Sequence, residues 1–276
     1  MRAPTVLIVS ASDPTSGAGM QADVQTVSSL GCHPLSILSG ITVQDTIGVE
    51  QVSSVTPALF AAQLKAIFTD SKVDVIKCGM LSSKENMEVF TNLLQEHPTI
   101  PVIFDPVMAS GRGDALSTEA MRQYLLEHIM PHVTLITPNS IEAKQLVKID
   151  DQKLKITMKE AAKRLQASGC HNVLITGSHE QTDEVINQLF LEDGSLQSYA
   201  WKRLPHAYHG SGCTLASAIA AYLAQGLNLR SAVEEGQDFT WHALQAALQI
   251  GHGQRIPNRF FWMNEFDEDE DDPTHH

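Results

Sequence analysis

The sequence predicts an α/β protein built on a mostly parallel sheet, because short apolar segments alternate with longer segments of helical periodicity along most of the chain. With 276 residues, 43% of them hydrophobic, the chain is long enough for one large core. No linker rich in Gly, Ser or Pro divides it. We therefore expect one domain over residues 1–260, followed at residues 261–276 by an acidic tail with the composition of a disordered segment.

The alternation of strands and helices can be followed from the N-terminus. Buried strands are predicted for six apolar segments, which read TVLIVSAS, HPLSILSGITVQ, VDVIKCGML, PVIFDPVM, VTLITPN and NVLITGS. Helices are predicted for GMQADVQTVSSLG, PALFAAQLKAIFTD, residues 118–130, MKEAAKRLQASG, and two final segments at 214–226 and 229–248. Between residues 184 and 204 the pattern changes to that of two antiparallel strands joined at Asp193-Gly194, a frequent hairpin turn.

The composition argues against several classes of partner. The formal net charge of -13 does not suit a protein that binds nucleic acid or an anionic membrane. No apolar run reaches the roughly 18 residues that a membrane helix needs, and the apolar N-terminal segment is better explained as a first buried strand than as a secretory signal. The spacing of Cys32, Cys78, Cys170 and Cys213 fits neither a disulfide framework nor a metal site. We expect reduced thiols in a cytoplasmic protein.

Polar residues follow several of the predicted strands. In open parallel sheets, ligands bind beyond the carboxyl ends of the strands. The polar residues in that position are Asp13, Gln44, Asp45, Asp105 and Asn139, and Met80 lies at the end of another strand. Taken singly, such a residue can simply cap a helix or stabilise a turn, and Asp23 can lie on a solvated helix face. Taken together, so many polar strand ends in one sheet favour a binding site.

Asn139 and Glu142 are three residues apart at the start of a predicted helix. A carboxylate at this place could hold Mg²⁺, because Mg²⁺ usually keeps several waters and binds one or two carboxylates. The same spacing also fits a capping box, with Asn139 as the N-cap and Glu142 at the third helical position. The two interpretations are compatible.

The segment HGSGCT, which precedes a small-residue helix, predicts an anion site. Gly210 and Gly212 allow the backbone to turn its N–H groups toward one point, and a helix N-terminus favours negative charge. Such a site suits the charge that develops in phosphoryl transfer. We expect the same field to lower the pKa of Cys213, which could then act as a base, a nucleophile or a substrate contact. The alternative is that Cys213 is a small buried residue that packs the helix start.

Seven segments in order resemble the hydroxymethylpyrimidine and phosphomethylpyrimidine kinases of thiamine biosynthesis, a branch of the ribokinase superfamily. They read SDPTSGAGMQADVQT, VQDTIGV, KCGML, DPVM, TPNSIEA, HGSGCTLASAIAA and GHGQRIPNRF, and the similarity covers residues 6–260. The resemblance implies a ribokinase-like three-layer α/β/α sandwich. It also implies a homodimer, with ATP and Mg²⁺ as cofactors and a small-molecule pyrimidine as the substrate.

The resemblance further implies a role for each matching residue. The pyrimidine pocket would be lined by Ala11, Asp23, Gln44, Met80, Val107 and Cys213. Gly210, Ser211, Gly212 and Cys213 would form the catalytic anion hole, with the Cys213 thiol in place of the Asp base of many superfamily members. Mg²⁺ would be held by Asp105 and Glu142, and the nucleotide by Asn139, Thr176, Arg112 and Gly212.

Three positions depart from the family pattern. Ala11 stands where the family usually has Gly, and the basic residue after DPVM is displaced to Arg112. Thr176 replaces a Lys that contacts nucleotide phosphate in relatives, and Arg112 could supply the missing charge. The implied activity is phosphorylation of 4-amino-5-hydroxymethyl-2-methylpyrimidine and of its monophosphate. The alternatives are a pyridoxal or pyridoxine kinase and a non-catalytic pyrimidine-binding relative, which Thr176 favours.

Overall fold

The computed structural model describes residues 2–107, 117–147 and 156–266. Over these residues the strands are β1 (Thr5–Ser12), β2 (His33–Gln44), β3 (Val49–Ser54), β4 (Val75–Cys78), β5 (Val102–Phe104), β6 (Leu135–Ile136), β7 (Asn172–Ile175), β8 (Glu184–Phe190) and β9 (Leu196–Lys202). The α-helices are α1 (Gly19–Ser29), α2 (Pro57–Asp70), α3 (Lys84–Glu96), α4 (Glu119–Tyr124), α5 (Ser140–Leu146), α6 (Met158–Ala167), α7 (Ser211–Ala224) and α8 (Leu229–Gln245). Helix α4 continues as a π-helical turn, Leu125–Ile129, and a 3₁₀ turn, Met130–His132.

All nine strands belong to one sheet in the order β3-β2-β1-β4-β5-β6-β7-β8-β9. The pairs from β2 through β7 are parallel, whereas β3, β8 and β9 are antiparallel to their neighbours. The chain builds the sheet outward from β1 to β3 and then returns to the other side of β1 with β4. This reversal of strand order leaves a crevice at the carboxyl ends of β1 and β4, where doubly wound sheets bind ligands.

Both faces of the sheet are covered by helices, as strand β1 illustrates. Its side chains alternate, so Leu7 and Val9 belong to a buried cluster that includes residues of α2, α3, α5 and α6. Val6 and Ile8 belong to a second buried cluster, with residues of α1, α7 and α8. A near-continuous apolar strand is expected where both faces are buried. The predicted mostly parallel three-layer α/β/α architecture is confirmed.

The structure adds elements that the sequence interpretation left unassigned. Helix α3 has Ser83 as its N-cap and buries Met87, Phe90 and Leu94, a spacing of three and four residues typical of a helix. Strand β3 pairs with β2 as an antiparallel edge strand. The hairpin predicted at Asp193-Gly194 is present as β8 and β9, which pair from Glu184 with Lys202 to Phe190 with Leu196.

A helical turn lies just beyond residue 260, the predicted end of the domain. A 3₁₀ turn, Phe261–Phe266, follows the domain. Its Phe261 ring packs against Phe239 and His242, and the Trp262 indole N–H donates to Ser29 Oγ. The rest of the predicted acidic tail, residues 267–276, lies outside the described residues. In the described part of the chain no helix is long and apolar enough to cross a lipid bilayer.

Candidate active site

A cavity of about 510 Å³ opens at the carboxyl ends of the central strands. Its wall includes nearly all the residues that the sequence proposed for substrate, nucleotide and metal. These are Ala11, Gln44, Met80, Asp105, Val107, Asn139, Glu142, Thr176, Gly210, Ser211, Gly212 and Cys213. Two proposed residues differ: Asp23 is not on this wall, and Arg112 lies outside the described residues.

Asp23 lies behind the cavity wall rather than on it. Its side chain is fully buried on α1, where both carboxylate oxygens accept hydrogen bonds from Lys77 Nζ at 2.8 Å and Oδ1 accepts another from Ser217 Oγ. Burial alone would lower the pKa of Lys77, but the carboxylates of Asp23 and Asp105 raise it, so the ammonium stays charged. The predicted direct contact between Asp23 and a substrate does not agree with this placement.

Asp105 follows β5 and faces the N-terminus of α7. The residue is 5% exposed, and its Oδ2 is buried without a hydrogen-bond partner in the described structure, 3.9 Å from Lys77 Nζ. Burial raises the pKa of this carboxyl group, and Lys77 and the Cys213 thiol counteract that rise. A buried carboxylate oxygen with unused hydrogen-bonding capacity is a natural place for a cation or a donor from a ligand.

The expected lowering of the Cys213 pKa is wrong. Burial raises the pKa of this thiol, Lys77 counteracts the rise, and the neighbouring Asp105 and Asp23 add to it. Desolvation is the largest of these effects. Cys213 is 8% exposed and lines the cavity, so a neutral thiol faces any ligand bound there.

The backbone at the start of α7 requires glycine at one position. Gly210 has φ +83°, in the left-handed region, and a Cβ on it would overlap the carbonyl oxygen of Gly17. The two glycine-containing loops, residues 13–19 and 209–212, therefore lie in direct contact. Since the first N–H groups of a helix have no acceptor within it, those of Ser211, Gly212 and Cys213 are available to an anion in the cavity.

Asn139 and Glu142 form the capping box of α5. Asn139 Oδ1 accepts from the backbone N–H groups of Ile141 and Glu142, and Glu142 Oε2 accepts from the N–H of Asn139 at 2.9 Å. The predicted capping box is confirmed. Both side chains also line the cavity, so the metal interpretation stays open.

The oxygen donors in this cavity fit Mg²⁺. Asp105 supplies the buried, unpartnered Oδ2, and Glu142 brings a second carboxylate to the same wall. In the described ranges no group of three His, Cys, Asp or Glu side chains could hold a metal by itself. A site with few protein ligands suits Mg²⁺, because waters and phosphate oxygens can complete its octahedral coordination.

Two residues of the cavity wall, Asp13 and His209, carry contacts that the sequence interpretation missed. His209 Nε2 lies 2.8 Å from Asp13 Oδ2 and 3.2 Å from the amide nitrogen of Gln44. The sequence indicates Asp13 only as a polar residue at a strand end, and His209 only as the first residue of HGSGCT. The two residues are 196 positions apart, so their pairing has no local signal in the sequence.

Arg259, in the segment GHGQRIPNRF, ties the C-terminal segment to the loop of residues 13–19 and to the first turn of α7. The residue is 1% exposed, and its guanidinium donates to the carbonyls of Ser16 and Gly17 and to Thr214 Oγ1. Burial lowers the pKa of Arg259 to about 10, so it remains charged near neutral pH. The fork geometry of a guanidinium suits this simultaneous binding of several acceptors.

A second cavity of about 370 Å³ adjoins the first and shares Thr176 and Gly212 with it. Its wall contains two indole rings, of Trp201 and Trp241, and two basic side chains, of Lys202 and Arg203. The Arg203 guanidinium donates to three backbone carbonyls of residues 178–182 and is thereby committed to that loop. Lys202 is exposed on β9.

Comparison with known proteins extends these observations. The model of the phosphomethylpyrimidine kinase family matches residues 13–258. The hydroxymethylpyrimidine/phosphomethylpyrimidine kinase of Escherichia coli is 34% identical over 255 residues, which cover 92% of this chain and 96% of that protein. A thiamine biosynthesis bifunctional protein of Geobacter sulfurreducens is 39% identical over 252 residues, or 90% of this chain. This chain spans only 51% of that bifunctional relative.

Solved structures of two kinds of kinase resemble the fold. An ADP complex of Bacillus subtilis pyridoxal kinase superimposes with a TM-score of 0.86 at 27% identity, covering 95% of this chain and 99% of the other. A phosphomethylpyrimidine kinase of Clostridium difficile superimposes with a TM-score of 0.74 at 30% identity, covering 88% of this chain and 100% of the other. The fold is therefore shared by a pyridoxal kinase and a phosphomethylpyrimidine kinase.

Proposed function

Because the chain belongs to the phosphomethylpyrimidine kinase family, we propose that it transfers the γ-phosphate of ATP to 4-amino-5-hydroxymethyl-2-methylpyrimidine and then to its monophosphate, in thiamine biosynthesis. One observation carries the proposal. A single cavity at the switch point of the sheet contains the Gln44 amide, the Asp105 carboxylate and the N-terminus of α7. These groups suit, respectively, an aminopyrimidine edge, a cation and a phosphoryl group.

In the first proposed transfer, the hydroxymethyl oxygen of the pyrimidine attacks the γ-phosphorus of ATP, and in the second a phosphate oxygen of the monophosphate does so. The bond from that phosphorus to the bridging oxygen breaks, and its electron pair leaves with ADP. The N–H groups of Ser211, Gly212 and Cys213 stabilise the charge on the transferring phosphoryl oxygens. Because the transition state of phosphoryl transfer is loose, the substrate hydroxyl loses its proton late. Only the thiolate form of Cys213 can accept the proton at that stage, and the raised pKa makes this form a small fraction near neutral pH.

We assign Mg²⁺ to Asp105 and Glu142, where it would neutralise charge on the nucleotide phosphates. The nucleotide would extend from Asn139 and Thr176 into the second cavity. Thr176 brings no positive charge to the phosphates, and Lys202 on the wall of the second cavity offers one. This is a different candidate from Arg112, which lies outside the described residues.

A pyridoxal kinase is the second candidate, and the superposition on Bacillus subtilis pyridoxal kinase favours it. Steady-state ATP turnover with each ring separates the candidates. Turnover with the hydroxymethylpyrimidine and its monophosphate, at far higher kcat/KM than with pyridoxal or pyridoxine, supports the leading proposal. The reverse preference supports the second candidate. Binding of the pyrimidine without turnover would identify a non-catalytic relative.

We also propose that the protein is cytoplasmic and forms a homodimer. All four cysteines are buried free thiols, which suits a reducing compartment. Strand β3 forms one edge of the sheet, and the adjoining β2 side chains Ile41 and Val43 are 55% and 51% exposed. This apolar edge could be covered by a second copy. Sedimentation equilibrium measures the mass, and a value equal to that of one chain at micromolar concentration contradicts the homodimer.

A further inference from the structure

The imidazole of His209 has no role in the proposed reaction, yet it lies between two polar groups of the cavity wall. Its Nε2 is 2.8 Å from Asp13 Oδ2 and 3.2 Å from the side-chain amide nitrogen of Gln44. The ring packs directly on Gly17, where a Cβ would overlap it. His209 is therefore held in place from two sides, and its contacts determine what hydrogen bonding remains open to Gln44.

The hydrogen bonds of Asp13 identify the donor in its contact with His209. Asp13 Oδ1 accepts from the N–H and the hydroxyl of Thr15, and Oδ2 accepts from the N–H of Ala18. Burial alone would raise the pKa of Asp13, but these hydrogen bonds and that of His209 lower it below its ordinary value. An ionised carboxylate can only accept. The proton in the 2.8 Å contact therefore belongs to His209 Nε2.

The proton on His209 Nε2 determines the orientation of the Gln44 amide. An amide nitrogen is also a donor, so two donors would face each other if it stayed beside Nε2. The oxygen and nitrogen of an amide have nearly the same shape, and the surrounding hydrogen bonds decide which one occupies each position. In the assignment that satisfies both contacts, the Gln44 amide is turned so that its oxygen takes the position beside His209 and shares the Nε2 proton with Asp13. The oxygen keeps a second lone pair, and the amide N–H groups are directed elsewhere.

We propose that His209 is a specificity-determining residue, which fixes the Gln44 amide so that the cavity accepts a 4-aminopyrimidine and rejects the 4-oxo form. The inference rests on the proposed function. A 4-aminopyrimidine offers an amine donor beside an unprotonated ring nitrogen. These match the second lone pair of the Gln44 oxygen and an amide N–H. The 4-oxo ring offers an acceptor beside a ring N–H, and it matches only if the amide turns its nitrogen against His209.

The experiment measures calorimetric binding of two probes to the full chain without nucleotide. The probes are 4-amino-5-hydroxymethyl-2-methylpyrimidine and the corresponding 4-oxo compound. His209→Phe keeps a ring on Gly17 but removes the N–H, whereas His209→Gln places an amide N–H near the position of Nε2. His171→Ala is the matched control, because His171 is exposed and contacts Glu192 away from the cavity. Circular dichroism verifies that each variant is folded.

We expect the wild-type protein, His209→Gln and His171→Ala to bind the amino compound more tightly than the oxo compound. His209→Phe should reduce this preference by at least about fivefold, the low end for a mismatched buried polar group. In a Gln44→Ala background, His209→Phe should change the preference no further. The inference is overturned if His209→Phe keeps the wild-type preference, or if it causes the same loss of preference in the Gln44→Ala background. Either result leaves the proposed function standing. If the wild-type protein binds neither ring, the proposed function fails and this inference fails with it.

Discussion

Lys77 donates hydrogen bonds to both carboxylate oxygens of Asp23 at 2.8 Å, and neither side chain is exposed to solvent. The pair joins the end of β4 to α1, and Ser217 brings α7 to the same carboxylate. The pair lies directly behind Asp105, whose Oδ2 is 3.9 Å from the Lys77 ammonium. The pair thus supports the wall of the cavity and sets the charge next to it.

Removal of Lys77 should destabilise the fold, because it leaves the buried Asp23 carboxylate without its partner. We expect Lys77→Met to lower the free energy of unfolding by about 3–5 kcal/mol. Urea denaturation measures the change, with Lys72→Met as the exposed control, expected within about 0.5 kcal/mol of the wild type. The double variant Lys77→Met/Asp23→Leu should regain most of the loss. A single variant as stable as the control would disprove the importance of this pair.

Replacement of Gln44 should weaken recognition of the pyrimidine and leave that of ATP nearly unchanged. Loss of a buried, paired polar contact costs about 1–3 kcal/mol, so Gln44→Ala should raise the pyrimidine KM by about 5- to 150-fold. The KM of ATP, measured at saturating pyrimidine, serves as the internal control. An unchanged pyrimidine KM would exclude Gln44 from ring recognition.

Glu142 can be tested for a metal role separately from its capping role. Gln also completes a capping box, so Glu142→Gln should keep the melting temperature while removing a charge from the cavity. We expect a lower kcat and a higher Mg²⁺ concentration for half-maximal activity. Glu160→Gln changes the matching residue of α6, whose N-cap is Thr157, and should alter neither quantity. Early melting with an unchanged Mg²⁺ dependence would mean that Glu142 only caps the helix.

Substitution of Cys213 tests its proposed role as a base. Ser keeps the size but ionises far less readily than a thiol, so it removes the minor thiolate form, and Cys213→Ser should lower kcat at least about tenfold. Cys213→Asp should restore part of the rate. Because the new carboxylate would lie buried near Asp105 and Asp23, we expect its pKa to be raised as well. The kcat that Cys213→Asp restores should therefore increase with pH. Wild-type kcat in Cys213→Ser would show that the thiol is only part of the wall.

The raised pKa of Cys213 also predicts its chemical reactivity. A thiol whose pKa lies above the ordinary value is mostly protonated at pH 8, and the thiolate is the nucleophile. Alkylation of Cys213 by iodoacetamide, followed by peptide mass spectrometry, should be slower than that of a free cysteine. Its rate should still rise as the pH increases above 9, the ordinary value for a cysteine. A rate plateau below pH 8 would show a lowered pKa instead.

Gly210 and Gly212 form a matched pair for testing the anion site. Gly210→Ala forces a side chain onto a residue with φ +83° and into the carbonyl of Gly17, so both stability and activity should fall. A Cβ at Gly212 would meet Asp105 Oδ1 at an ordinary 3.7 Å. Gly212→Ala should therefore melt near the wild-type temperature but lose kcat, because its methyl group enters the cavity. Full activity in folded Gly212→Ala would contradict binding of the phosphoryl group there.

Much of the fold follows from local sequence alone. The apolar segments of β1, β4, β5 and β7 and the periodicity of α2 and α6 depend on residues only a few positions apart, so they can be read without tertiary contacts. The same holds for the capping box of Asn139 and Glu142, whose hydrogen bonds close within one helical turn. The carboxyl ends of parallel strands meet at one edge, and this general rule placed Gln44 and Asp105 on a common wall.

Tertiary structure alone determined which distant groups pair behind and beside that wall. Strand order brings Lys77 to Asp23, loop contact brings His209 to Asp13, and the C-terminal segment brings Arg259 to Gly17. The pKa of Cys213 depends on these pairings, because burial and nearby carboxylates act through space rather than along the chain. The sequence determined the chemical groups and the edge of the sheet where they gather. Their charges and orientations were determined by packing, since electrostatic and desolvation energies depend on distances that only the folded chain defines.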